Sequence, residues 1–367
     1  MADILAVVRP PSPRLDVRSL FSLVSALALV AGCGAASPRG HRVRQPSAGE
    51  LFGALAGASG WLNGRGVEAD SLRGRIVVLV TWSDTDPGSL RALPEAEAWS
   101  QAYGRYGVRV LGVHDPQYTF ATDSGAAARV VRRAGVTFPV ALDASYRVRT
   151  ALGAPDRLPR IQVWDAGGNP AVTVEGDDLT AAHAAIRATL RRVRPDLGLP
   201  PDPTPRASRP IALRRVACGT SRVAGGPLSG ATPGEATTFT AQFRYQEEGE
   251  SYTPYLVGRW TPSAEGVTSA RGGASDFLSV RGKGGEVWAV LAPPASGTSR
   301  VWILAEDAWL PADESGADVH HDARGASYVD VAEPRLYSIA HLEHPRTLKL
   351  SPDGAGLTVY ELDFATR

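Results

Sequence analysis

The stretch Ile76-Val77-Val78-Leu79-Val80-Thr81-Trp82-Ser83-Asp84-Thr85-Asp86-Pro87-Gly88-Ser89 decides how this chain folds. Five aliphatic residues in a row, mostly β-branched and entered through the turn Leu72-Arg73-Gly74-Arg75, predict a strand buried on both faces. Asp86 is a good N-cap and Pro87 a good first helical residue. Leu90, Leu93, Ala96 and Trp99 then recur at helical spacing. A strand, a sharp turn and a helix start leave unpaired backbone N–H groups at the positive end of the helix dipole, a place that stabilises an anion.

Outward from this stretch the pattern repeats. Residues 60–64 read as an edge hairpin leading to Val67 and Leu72. Residues 108–113 read as a second strand, 125–134 as a helix stopped at Gly135, and 136–142 as holding a short strand around Pro139. A short helix over 146–152, a strand over 160–164, a turn at 165–169, a partner strand over 171–175 and an amphipathic helix over 179–193 complete an order β-α-β-α-β-β-α. That order predicts a three-layer α/β domain. Prolines 195, 200, 201, 203, 205 and 210 mark a semi-rigid linker. Beyond it, short alternating segments at 239–245, 277–280, 286–291, 299–304, 335–339, 347–350 and 357–364 predict an all-β, jelly-roll-like sandwich.

The chain has 367 residues and a net charge of +1, enough for two domains and no electrostatic case for nucleic acid. Its start reads as a targeting segment. Arg9, Arg14 and Arg18 precede the apolar residues 20–31, which are too few to span a bilayer comfortably. The run ends Val30-Ala31-Gly32-Cys33, similar to a bacterial lipoprotein cleavage box, so Cys33 is a candidate lipidation site and a membrane anchor. An ordinary secretory signal with an incidental Cys is the alternative. The resulting plan is a signal peptide over 1–32, a tether over 33–56, an α/β domain over 57–194, a linker over 195–210 and a β-sandwich over 211–367. The only other cysteine is Cys218.

Several segments together resemble the thioredoxin-like envelope proteins of the DipZ and TlpA type. They are Gly60-Trp61-Leu62-Asn63, the run from Leu72 to Trp82, Leu90-Arg91-Ala92-Leu93-Pro94, Gly112-Val113-His114-Asp115-Pro116 and Phe138 to Asp143. In the second region, Glu333-Pro334-Arg335-Leu336-Tyr337 and residues 357–364 are similar to the β-sandwich of DipZ-type proteins. The resemblance implies a Cys-x-x-Cys pair where this chain has Asp86 and Ser89. It also implies a cis-proline facing that pair, for which Pro159 is the counterpart. Thiol–disulfide exchange needs an attacking thiolate and a resolving thiol, and neither Asp nor Ser supplies one.

The expectation is therefore a degenerate redox site, with no catalytic residue and no metal or cofactor. Trp82, Asp86 and Pro159 would line a peptide-docking groove. Envelope proteins or cell-wall glycan would be the partners, on a lipid-anchored protein of the bacterial cell envelope. An Asp84–Asp86 acid/base or metal pair is a weaker reading, and His114 reads as structural or groove-lining. The competing function is an oxidoreductase or peroxidase acting through Cys218 or a partner's thiol; a small buried hydrophobe is the usual role of such a Cys. Residues 318–322 (Asp-Val-His-His-Asp) suggest metal binding, but adjacent His residues on a strand point to opposite faces, so a solvated loop is expected. Trp260, Trp288, Trp302 and Trp309 would serve a sandwich core or a sugar-stacking surface.

Overall fold

A computed structural model describes residues 46–201, 210–221, 231–240 and 252–366. The proposed signal peptide, Cys33 and the start of the tether lie outside them. The first sheet has six strands in the order β1-β4-β3-β2-β5-β6. These are β1 (Gly60–Leu62), β2 (Ile76–Trp82), β3 (Val108–His114), β4 (Val140–Leu142), β5 (Arg160–Trp164) and β6 (Pro170–Glu175). Strands β2, β3 and β4 run parallel; β1, β5 and β6 are antiparallel to their neighbours. Among the described residues six α-helices attend the sheet: α1 (Ala48–Leu55), α2 (Ala69–Leu72), α3 (Pro87–Tyr103), α4 (Ser124–Arg133), α5 (Arg147–Leu152) and α6 (Leu179–Val193).

Every residue of β2 is buried, and its alternation builds two layers. Ile76, Val78, Val80 and Trp82 pack with α3, α4 and α6; Val77 and Leu79 pack with α1, α2 and α5. This is the thioredoxin-like α/β arrangement expected from the sequence, and the Leu158–Pro159 bond is cis. Two expectations fail locally. Residues 60–64 form no hairpin of their own: β1 is an edge strand paired with β4. The tether does not reach residue 56, because Ser47 and Glu50 form a capping box that starts α1, whose Leu51, Ala54 and Leu55 are buried. The linker also starts packed: Leu199 lies against the first core and the Pro200 carbonyl accepts from Arg187.

The second region is all antiparallel: β7 (Ala212–Ala217), β8 (Thr237–Thr240), β9 (Tyr255–Pro262), β10 (Val267–Ser269), β11 (Phe277–Ala292), β12 (Ser299–Ala305), β13 (Ala308–Trp309), β14 (His320–His321), β15 (Ser327–Val331), β16 (Arg335–Pro352) and β17 (Thr358–Thr366). Where two separate strands were expected at 277–280 and 286–291, one 16-residue strand runs through, with register shifts between Gly282 and Trp288. Segments 335–339 and 347–350 likewise belong to one strand, β16. All eleven described strands belong to one sheet. It closes on itself, because β11 pairs β17, β17 pairs β10, β10 pairs β9, and β9 pairs β11 again. The inward residues of these strands, among them Trp260, Val280, Ile303, Leu350 and Phe364, share one core.

Candidate functional site

The site begins with Asp86. Its backbone is extended, and its carboxylate accepts the Ser89 N–H at 2.6 Å, capping α3. Pro87 follows at the first helical position, where its missing N–H costs nothing. Gly88 lets the tip approach Pro159: a Cβ there would lie 3.2 Å from Pro159 Cδ and 3.3 Å from Asp177 Cβ. Asp86, Ser89 and the cis-proline are thus brought together, all of them buried. Ser89 Oγ is buried and meets no hydrogen-bond partner among the described residues.

Among the described residues, Trp82, Asp86 and Pro159 are buried and do not line an open groove. The second sheet covers the α3 tip. Strand β7 carries Arg215, whose guanidinium pairs with Asp86 Oδ2 and reaches Glu361 Oε1 at 3.5 Å. Asp86 is fully buried, whereas the Arg215 side chain keeps 36% of its surface at the rim of the joint. Period-two alternation explains which face is presented. On β17, Leu362 and Phe364 point into the sheet's own core. Glu361 and Asp363 therefore fall on the opposite face, and both are buried. Asp363 lies opposite Arg215 in the β7–β17 register. Arg91 of α3 bonds Asp177 at 2.7 Å, and Asp177 accepts the Ile211 N–H at 2.8 Å, tying the chain entering β7 to the first sheet's loops. An apolar cluster seals the same joint: Tyr118, Leu90 and Phe120 from the first region meet Trp288, Val290, Leu336, Leu213 and Tyr360 from the second. Thr119 N–H also donates to the Glu265 carboxylate at 3.1 Å.

The electrostatics follow from one guanidinium facing three carboxyls. Burial opposes a charge on Arg215, but Asp363, Asp86 and Glu361 outweigh it and raise its pKa. Burial, and then the neighbouring Glu361, push Asp363 well above the usual carboxylate range. Asp177 is raised by burial, against its hydrogen bond from Ile211 and the charge of Arg91.

The remaining candidates separate. Asp84 does not pair with Asp86; its Oδ1 sits 3.1 Å from His114 Nε2, both side chains being buried. The Trp82 and His114 rings are 4.9 Å apart, and the Trp82 indole N–H is buried without a partner among the described residues. Trp82 is fully buried, so it presents no exposed surface to a docked peptide. Cys218 also is fully buried, in the core of the second sheet, and burial followed by Glu361 pushes its thiol up. His320 and His321 form the exposed strand β14; His321 Nε2 lies 2.9 Å from the Leu310 carbonyl, and Asp318 pairs with Arg335. Among the described residues no group of three or more His, Cys, Asp or Glu side chains is placed to hold a metal ion. Of the tryptophans, Trp260 is core and Trp288 lies in the joint, whereas Trp309 is 45% exposed and its ring lies 5.7 Å from that of Trp302. These two, with Phe277, Asp307, Lys349 and Ser351, line a cleft of about 230 Å³.

Arg215, Glu361 and Asp363 escape a reading of the sequence because polar residues alternating with apolar ones look like a solvated sheet face. One signal was available. Residues 287–292 (Val-Trp-Ala-Val-Leu-Ala) are apolar throughout and buried throughout, which in an antiparallel strand means that both faces are covered.

A family model described as a thioredoxin like C-terminal domain matches residues 226–364. The proteins named DipZ of Mycobacterium bovis and Mycobacterium tuberculosis are each 29% identical to this chain over 322 residues, 84% of it and 42% of theirs. The chain thus spans less than half the length of these relatives. Among solved structures, a putative thioredoxin from Neisseria meningitidis is similar at 21% identity and a TM-score of 0.33, over 38% of this chain and 90% of that one. A secreted disulfide oxidoreductase of Mycobacterium tuberculosis, described as homologous to E. coli DsbE, is similar at 19% identity and a TM-score of 0.32, over 37% and 98%. The chain is thus similar to DipZ proteins over most of its own length.

Proposed function

We propose that this DipZ-like chain is a redox-inactive binding or scaffold protein of the bacterial cell envelope, held to a membrane by lipid on Cys33. The supporting observation is the pairing of Asp86 with Arg215. The position that would carry an attacking thiolate carries a carboxylate, and a cation from the second sheet is paired with it. Cys218 offers no substitute, since its thiol is buried in another core and its thiolate is disfavoured there.

The test is insulin reduction by the full chain, combined with alkylation of the native protein and peptide mapping. No turnover, and labelling at Cys218 that is far slower than in unfolded protein, are expected. Turnover, or fast labelling at Cys218, would return the oxidoreductase reading.

The binding face of this reading is the cleft between Trp302 and Trp309. Two indoles at its edge, with Asp307, Lys349 and Ser351 beside them, suit the apolar face and the hydroxyls of a pyranose ring. Soluble cell-wall glycan fragments titrated by calorimetry should bind the full chain, and Trp309→Ala should abolish binding. Heat absent with wild type across glycans, while an envelope extract yields a specific protein partner, would move the partner from sugar to protein.

A further inference from the structure

The joint over the α3 tip holds more acid than base. Asp86, Glu361 and Asp363 face Arg215; among the described residues no donor of good geometry reaches either oxygen of Asp363, and its contact with the Glu361 carboxyl favours the protonated form. The elements packed around Asp363 supply acid from two sides and base from one. Strand β17 brings Glu361, and β7 brings Arg215. The α3 tip brings Asp86, behind which stand Asp177 and its partner Arg91. Strand β11 places the uncharged Trp288 opposite Asp363. With Asp363 protonated, Arg215 faces two carboxylates. With Asp363 ionised it faces three, and the extra negative charge has no cation of its own.

We propose that this joint is a proton-dependent latch: Arg215 holds the β7–β17 strand pair on the tip of α3 while Asp363 keeps its proton, and loss of that proton loosens the second sheet from the first. An acid that is neutral when buried and ionised when released makes opening and deprotonation one linked equilibrium. Between the ordinary carboxylate range and the raised value of buried Asp363, the opening constant rises by up to tenfold per pH unit, because opening releases one proton. Above the raised value it levels off.

Two backbone amides report the opening directly, because each donates across the joint: Ile211 to Asp177, and Thr119 to Glu265. The experiment is hydrogen exchange of the full chain at single-residue resolution, from about pH 5 to about pH 9, corrected for the intrinsic base catalysis of exchange. Leu79 in the centre of β2 serves as the marker of global unfolding. In wild type, protection at Ile211 and Thr119 should fall several-fold to tenfold per pH unit over part of the range, while Leu79 stays protected. Asp363→Asn keeps a neutral side chain, so the slope should vanish with protection high throughout. Glu361→Gln removes the neighbouring charge, so the fall should level off at lower pH; this variant keeps the test alive if Asp363→Asn fails to fold. Arg215→Met should lower protection at both amides at every pH, with Leu79 unchanged. Protection that does not change with pH in wild type, a slope that survives in Asp363→Asn, or joint amides that exchange only together with Leu79 would each overturn the latch.

Discussion

Replacing Asp86 separates two roles that one carboxylate plays. As the N-cap of α3 it accepts the Ser89 N–H, and as a counter-ion it holds Arg215. Asp86→Asn keeps an amide oxygen able to cap and removes the charge; Asp86→Ala removes both. A hydrogen bond to a charged group is worth about 1.5–3 kcal/mol. That figure shrinks here for two structural reasons. The Arg215 side chain remains 36% exposed and can still turn to Glu361 at 3.5 Å. Removing the Asp86 charge also relieves Asp177 and Asp363, both of which it pushes up. The net cost of Asp86→Asn should therefore be about 1 kcal/mol, toward the top of the range for partly exposed pairs. Loss of the cap adds about 1 kcal/mol, so Asp86→Ala should cost about 2 kcal/mol. Urea unfolding of the full chain, followed by far-ultraviolet circular dichroism, measures both. Equal costs for Asn and Ala would refute the capping role. An Asn variant as stable as wild type would refute the view that the ion pair stabilises the joint.

Three further outcomes are expected. The double substitution Asp86→Cys with Ser89→Cys places a thiol at position 86, against the helix tip and Arg215; it should titrate below the ordinary value of about 8.5, read by thiolate absorbance, and an upward shift would mean that burial dominates. Glu97 accepts from Thr137 N–H and Oγ1 at 2.7 Å each, and although burial opposes this, the Thr137 and Gln101 bonds hold its pKa below the usual value. A lowered carboxyl stabilises the fold above its unfolded pKa and loses that effect as pH falls through the folded value. Glu97→Gln should thus lower stability at neutral pH and flatten its acid limb in urea titrations; an unchanged limb contradicts this. Leu79→Ala, in a fully buried strand, should cost about 2–5 kcal/mol by the same unfolding measurement, and a cost below about 1 kcal/mol would show that the layer under α1 and α5 is not a packed core.

Much of the α/β region is legible in the sequence because its signals are local. An aliphatic run makes β2, Asp86 and Pro87 start α3, and the resemblance places Pro159 against them. Local signals also mislead where packing decides. Residues 48–55 read as tether, yet Leu51 and Leu55 find a sheet face to bury against. Residues 277–280 and 286–291 read as separate strands, whereas the backbone runs through Gly282 and Gly284 with a shifted register. The cover over the α3 tip lay furthest from view, since Asp86 and Arg215 are 129 residues apart and nothing near either names the other. A carboxylate capping a helix looks complete on its own.

Strand β7, which brings Arg215 to the helix tip, is held along its length by β17, and their pairing joins residues as far apart as Ala212 and Thr366. During synthesis the α/β layers emerge first, while β7 must wait for roughly 150 further residues before its partner exists. For that interval the tip of α3, Tyr118 and Phe120 are bare, and Arg215 has no neighbour to orient it. The nascent chain therefore passes through a stage when this surface is open to chaperones and to other chains, and the last strand of the sheet is the one that shuts it.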